Sequence, residues 1–245
     1  VLDPQIELGI QEVPAVQPTH HAPAGLELMD HEDLVIPRMV LVQPSSQIED
    51  GITGSFYLNL TGEQIEEIEI VFLSLTKGRV LASAIIGDKP LCGSSDRVKP
   101  SPRFENPVSE KCEGCPMSIP KQGSRFPACT KNYSLLCVLT ESRIPFWWTV
   151  KATALWPTQK VLTQFAFADR SLFEAKVRIH TQLVTKPGKK YYVPVYSKLE
   201  WLSEEEKREF AALYQRYAGE NPDRVFELEE EAKPFDWEAG EEETI

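Results

Sequence analysis

The sequence predicts a mainly β protein: a compact antiparallel β-barrel or sandwich with a loop-rich insertion, a C-terminal helix and an acidic tail. Three observations predict it. About seven short runs of strand-forming residues are bounded by Gly, Pro and Asn. Helical periodicity is confined to two segments. Four of the five cysteines fall in one stretch rich in proline and glycine, between two groups of strands. Periodicity alone does not separate a barrel from a sandwich.

Residues 1–33, with Pro4, Pro14, Pro18 and Pro23 and no sustained period, predict an extended arm. From residue 34 the pattern becomes strand-like, first over 35–42. Runs 68–75 and 79–86 predict a hairpin closed at Thr76-Lys77-Gly78. Residues 88–131 read as the insertion. Strand signals resume over 134–140 and 146–155, and a short helix is expected over 159–168. A second hairpin joins 175–184 to 190–197 through Lys186-Pro187-Gly188-Lys189. Ser203-Glu204-Glu205-Glu206 is a capping box. The helix that it starts carries Phe210, Leu213, Tyr214 and Tyr217 on one face and ends near Gly219. The expected organisation is thus an arm (1–33), a core (34–200) with the insertion at 88–131, a helix (201–220) and an acidic tail (221–245).

A chain of 245 residues with 42% hydrophobic content is long and apolar enough to fold. Its longest apolar runs fall well short of the roughly 20 residues of a spanning helix, so no membrane segment is expected. The first residues have neither a basic nor an apolar signal region, and a cytoplasmic protein is expected. The net charge of −11 is unevenly spread. Residues 1–87 hold 13 acidic and 3 basic side chains, residues 88–200 hold 9 and 18, and residues 201–245 hold 15 and 5. A basic centre between acidic ends leaves nucleic acid among the partners that the overall charge would argue against.

Cys92, Cys112, Cys115 and Cys129 are spaced C-x19-C-x2-C-x13-C. The Cys112-Glu113-Gly114-Cys115 knuckle lets two thiolates face one ion, and four cysteines close a tetrahedral shell. A closed shell is structural, and here it would fold a segment with little apolar content. Zinc is the expected ion; an iron–sulfur cluster uses the same ligands. Cys137, inside the apolar run 135–139, reads as an inert buried thiol, and His20, His21 and His31 have no support as ligands.

Strand alternation divides the later runs into faces. One face of 175–184 carries Lys176, Arg178 and His180. One face of 190–198 carries Lys190, Tyr192, Tyr196 and Lys198. In 146–155, Trp147 and Lys151 are expected to point outward, opposite Phe146, Trp148 and Val150. Cations that track phosphates beside rings that stack on bases are what single-stranded nucleic acid requires. In the acidic tail, Phe235 and Trp237 sit among glutamates and offer a partner protein an apolar grip.

The cysteine set, the basic aromatic strands 146–198, the tail 227–245 and the entry segment 35–44 together resemble single-stranded DNA-binding proteins of tailed bacteriophages. That resemblance implies an oligonucleotide-binding (OB) barrel with a zinc insertion. It also implies a non-enzymatic role: coating and protecting exposed strands during DNA replication and recombination, and recruiting replication or recombination proteins through the tail. No phosphate-binding loop, His-Glu-x-x-His or Gly-x-Ser-x-Gly motif is present, and His180 is the one histidine outside the arm, so no enzyme is expected. The alternatives are a zinc-containing protein-interaction or transcription-regulating module and an RNA-binding OB protein.

Overall fold

The computed structural model describes residues 35–46, 48–83, 90–123 and 126–217. Contacts divide the chain into Val1–Val35 and Ile36–Ile245, and the first unit lies almost wholly outside the described residues. So do the C-terminal end of the 201–220 segment and the whole acidic tail.

The second unit is mainly β, as expected. In chain order its elements are β1 (Arg38–Leu41), β2 (Phe56–Leu58), β3 (Glu63–Ile65), β4 (Glu67–Leu81), β5 (Cys92–Ser94), β6 (Cys129–Leu139), β7 (Pro145–Lys151), α1 (Leu155–Phe167), β8 (Ala175–Lys186), β9 (Lys189–Trp201) and α2 (Glu204–Tyr217). One sheet has the order β3-β2-β1-β7-β6-β4-β8-β9, with β5 also paired to β4, and it curls into a half-barrel. Every pairing is antiparallel except β1 with β7.

The expected hairpin at Thr76-Lys77-Gly78 does not form. Residues 67–81 are a single strand that pairs with β6 along nearly its whole length. Gly78 serves close approach rather than a turn: a Cβ there would lie 2.3 Å from Asn132 Oδ1 and 2.6 Å from the Ser94 carbonyl oxygen. A register shift between Phe72 and Ser74 marks a bulge, and bulges bend the strands that carry them. On its other edge, β4 pairs with β8 over Glu67–Val71 and with β5 over Arg79–Leu81. The second expected hairpin is present, with Gly188 at φ +73° in its turn. The capping box also forms: the Ser203 N–H donates to Glu206 Oε2 at 2.9 Å and the Glu206 N–H to Ser203 Oγ at 3.3 Å.

Both faces of the central strands are covered. Inside the curl, Ile70, Phe72, Leu135, Cys137, Phe146, Trp148, Val177 and Ile179 pack with Val161 and Phe165 of α1. Outside it, Val71, Leu73, Leu136, Val138 and Trp147 pack with Phe210 and Tyr217 of α2. Two covered faces explain why 135–139 is apolar without alternation. α2 is pinned by Arg143, whose Nε and Nη2 donate to the Glu209 carboxylate at 2.7 and 2.9 Å. The Arg143 guanidinium also lies 4.7 Å from the Phe210 ring centroid.

β7 and β9 are not paired to each other; β9 is an edge of the sheet, and Gln43, just after β1, ties to it. The Gln43 side-chain amide donates to the Tyr192 carbonyl at 3.0 Å and accepts from the Tyr192 N–H at 2.9 Å, standing in for a strand residue. Beside it, Thr181 Oγ1 donates to the Gly54 carbonyl at 2.6 Å. Gly54 (φ +93°) admits the Tyr192 ring where a Cβ would stand 2.5 Å from Cε1. Replacing Gln43 with Ala removes both bonds and should cost about 1–3 kcal/mol in a denaturant titration. Hydrogen exchange at the Tyr192 amide should accelerate as well; unchanged exchange there would contradict the bridging role.

Candidate nucleic-acid interface and cysteine cluster

The gap left by the open curl is a groove of about 560 Å³. Its walls are Arg38–Leu41 of β1, the loop from Gln43, Trp148–Lys151 of β7, the turn Ala152–Ala154, and Lys189–Tyr192 with Pro194 of β9. Among the described residues that line it are the cationic Arg38, Lys151, Lys189 and Lys190 and no carboxylate. Tyr191 and Tyr192 are half-buried at its edge, and Lys186 Nζ lies 6.0 Å from the Tyr191 ring centroid. Thr149 adds a buried hydroxyl with no hydrogen-bond partner among the described residues.

Of the nine residues expected to touch nucleic acid, the structure gathers Lys151, Lys190 and Tyr192 in this groove. The other six lie elsewhere. Trp147, expected to point outward, does leave the barrel interior but is only 1% exposed beneath α2. The apolar residues beside it on that face, Leu136 and Val138, need the cover that Phe210 and Tyr217 supply. Tyr196 is turned inward by a register shift between Arg178 and Ile179, which pairs Ile179 with Tyr196 and Arg178 with Lys198. Strict alternation put Tyr196 and Lys198 on one face; the bulge separates them. The Tyr196 hydroxyl meets Thr158 Oγ1 of α1 at 2.6 Å. Burial raises its pKa well above the usual tyrosine range, against a lowering by the Thr158 bond.

Lys176, Arg178 and Lys198 share the outer face, where carboxylates balance them. Arg178 pairs with Glu69 at 3.1 Å and Glu67 at 3.7 Å, Lys176 with Glu69 and Glu200 at 3.8 Å, and Lys198 with Glu200 at 2.5 Å. The Lys198 hydrogen bond, then the Lys176 charge, hold the Glu200 carboxyl below its ordinary range. His180 lines a separate depression with Glu66 and Glu67. Sequence reasoning missed Arg38, Lys189 and Tyr191. Arg38 is the one charge inside the apolar run 35–42, which is a signal that something there needs a cation.

The four clustered cysteines are brought toward one another. Cys92 of β5 and Cys129 of β6 flank Leu81 of β4, each in register with it. The turn between Cys112 and Cys115 uses Gly114 at φ +72°, and the Cys112 N–H is held by the Val98 carbonyl at 2.9 Å. Arg97 ties the insertion to the sheet, donating to the carbonyls of Gly78 at 2.9 Å and Asn132 at 2.7 Å. Burial raises the Cys92 thiol pKa, and Cys112 and Cys115 add to that rise. Cys129 is also raised, first by burial; the Arg79 charge opposes this, and the other three thiols add to it. All four thiols therefore lie within electrostatic reach. None is in a disulfide, and among the described residues no three His, Cys, Asp or Glu side chains are gathered closely enough to hold a metal ion. Cys137 is fully buried in the barrel core, its thiol pKa pushed well above the usual value by burial.

No protein-family profile, curated protein or solved structure matches the chain. Among the described residues no helix is long and apolar enough to cross a membrane.

Because Trp147 belongs to the packing between sheet and α2, Trp147→Ala should lower stability by about 3–5 kcal/mol in chemical denaturation. The folded fraction should match the wild type in an oligo-dT titration. Weakened binding at full stability would restore the outward role first expected of this ring.

Proposed function

We propose that the chain is a non-enzymatic single-stranded DNA-binding protein whose strand lies in the β1–β7–β9 groove. The observation that carries this reading is the groove wall itself: Lys151, Lys189 and Lys190 with no carboxylate among the described lining residues, and two tyrosines at the edge. Cations that follow a phosphate backbone beside rings that accept bases are the common equipment of single-strand binding. The outer-face cations lack this property, because Glu67, Glu69 and Glu200 already neutralise them.

Strand connectivity supports the same reading. β4, β6, β7, β8 and β9 form a consecutive five-stranded unit with α1 between its third and fourth strands. This suits an OB barrel, a partly open Greek-key fold. OB folds bind oligonucleotides on their second and third strands and on the loops after the first strand and between the fourth and fifth. Here β7 is the third strand, and Lys189 and Lys190 follow the turn between the fourth and fifth. The loop after the first strand is the insertion that carries the cysteines.

In this reading Cys92, Cys112, Cys115 and Cys129 hold a structural Zn²⁺. The Arg79 charge that opposes the rise at Cys129 favours the thiolate form that such an ion needs. The acidic tail competes with nucleic acid for the cationic groove and offers Phe235 and Trp237 to replication or recombination proteins.

Fluorescence titration with oligo-dT at several salt concentrations tests the groove. Three phosphate-contacting lysines give a slope of log K against log salt of about −2 for a single strand. Lys151→Gln with Lys190→Gln should cut that slope to about a third and weaken binding about tenfold. A flat salt profile, or an unaffected double variant, would contradict the reading. Elemental analysis should find about one zinc per chain, and chelation should expose amides in 90–123 while the barrel strands stay protected. Metal-free protein with the same exchange pattern would remove the zinc assignment.

A further inference from the structure

We infer that Trp156 and Lys160, on the first two turns of α1, form a base-stacking platform that continues the groove, so that an unpaired nucleobase of the bound strand lies against the Trp156 indole. The inference rests on the groove reading above and adds to it a ligand-contacting site that lies outside the groove wall and outside the residues expected from the sequence.

Three observations converge on it. Trp156 is 65% exposed, whereas Trp147 and Trp148 are 1% and 2% exposed. The core face of α1 is complete without it. Thr158, Val161 and Phe165 are its buried residues, and at about 100° per residue position 156 falls nearly opposite position 158. The ring therefore contributes little to packing. Its neighbour Lys160, one turn further on, places Nζ 5.4 Å from the indole centroid. A ring to receive a base thus has an ammonium beside it to receive the adjoining phosphate.

The third observation is position. All of Ala152, Thr153 and Ala154 line the groove, and Trp156 follows two residues later. The chain turns from β7 into α1 through Ala152, held at φ +50° although it is not glycine. A left-handed backbone at a residue with a Cβ is strained, and such strain collects at ligand-binding sites. Here it makes the turn short enough to set the helix start at the groove lip. The charge of the groove defines the occupant: a strand whose phosphates lie on Lys151, Lys189 and Lys190 and whose next base leaves past Ala154.

The test uses the full chain and oligo-dT, with anisotropy for affinity and intrinsic emission as a second readout. Circular dichroism of each variant confirms that this exposed position does not alter the fold. Binding should quench the wild-type emission, and Trp156→Phe should lose most of that quenching. Trp156→Ala should weaken binding roughly five- to hundredfold, the range of one base–ring stack. Its salt slope should stay that of the wild type, because the ring meets no phosphate, whereas Lys160→Ala should lower the slope by about one. Wild-type affinity in Trp156→Ala, with quenching preserved in Trp156→Phe, would overturn the platform. If Lys151→Gln with Lys190→Gln still lost binding, that result would leave the groove standing. Failure of the wild-type chain to bind oligo-dT at all would overturn both.

Discussion

The architecture depends on the pairing of one side chain with one peptide group. β7 ends at Lys151 and β9 begins at Lys189, and the two strands never meet. β9 is an edge strand, and a free edge exposes unpaired backbone groups and tends to splay or to recruit another strand. Gln43 meets this constraint by giving the Tyr192 peptide both a donor and an acceptor. The side chain is long enough to span the gap without filling it. The curl is held, and the groove that Gln43 lines stays open.

That channel and the packing around it divide the charged surface into two regimes. On the outer face, cross-strand ion pairs bring Lys176, Arg178 and Lys198 together with three glutamates, and exposed pairs of this kind leave little field at a distance. In the groove, Lys151, Lys189 and Lys190 have no carboxylate beside them among the described lining residues, so their potentials add where a polyanion would enter. The net negative charge of the chain is compatible with this, because local arrangement decides what a cleft attracts.

Much of the architecture was legible in the sequence. The mainly β class, the 186–189 hairpin turn and the capped C-terminal helix follow from local chemistry: Pro-Gly in a turn, and Ser followed three residues later by Glu. Interior positions of β7 and β8 followed from alternation, since Phe146, Trp148, Val177 and Ile179 all lie in the barrel core. The failures share a cause, which is that periodicity is local and contacts are not. Gly78 looks like a turn residue until Asn132 and the Ser94 carbonyl are placed beside it. Trp147 looks exposed until α2 is laid over it, although the apolar stripe Phe210–Tyr217 had no other declared partner. Tyr196 looks exposed until the bulge at β8–β9 is known, and nothing in the sequence of β9 marks that bulge. The short strands β2 and β3 escaped for lack of length. The groove was only partly readable, because it joins β1, β7 and β9 across more than a hundred residues.

The central claim is that the β1–β7–β9 gap, rather than the outer face, receives a single strand. Hydrogen–deuterium exchange of the full chain with and without saturating oligo-dT tests it most directly. The account predicts new protection in 38–46, 148–154 and 189–194, with the amides around Lys176, Arg178 and Lys198 unchanged. Protection confined to that outer face, or none anywhere, would contradict it.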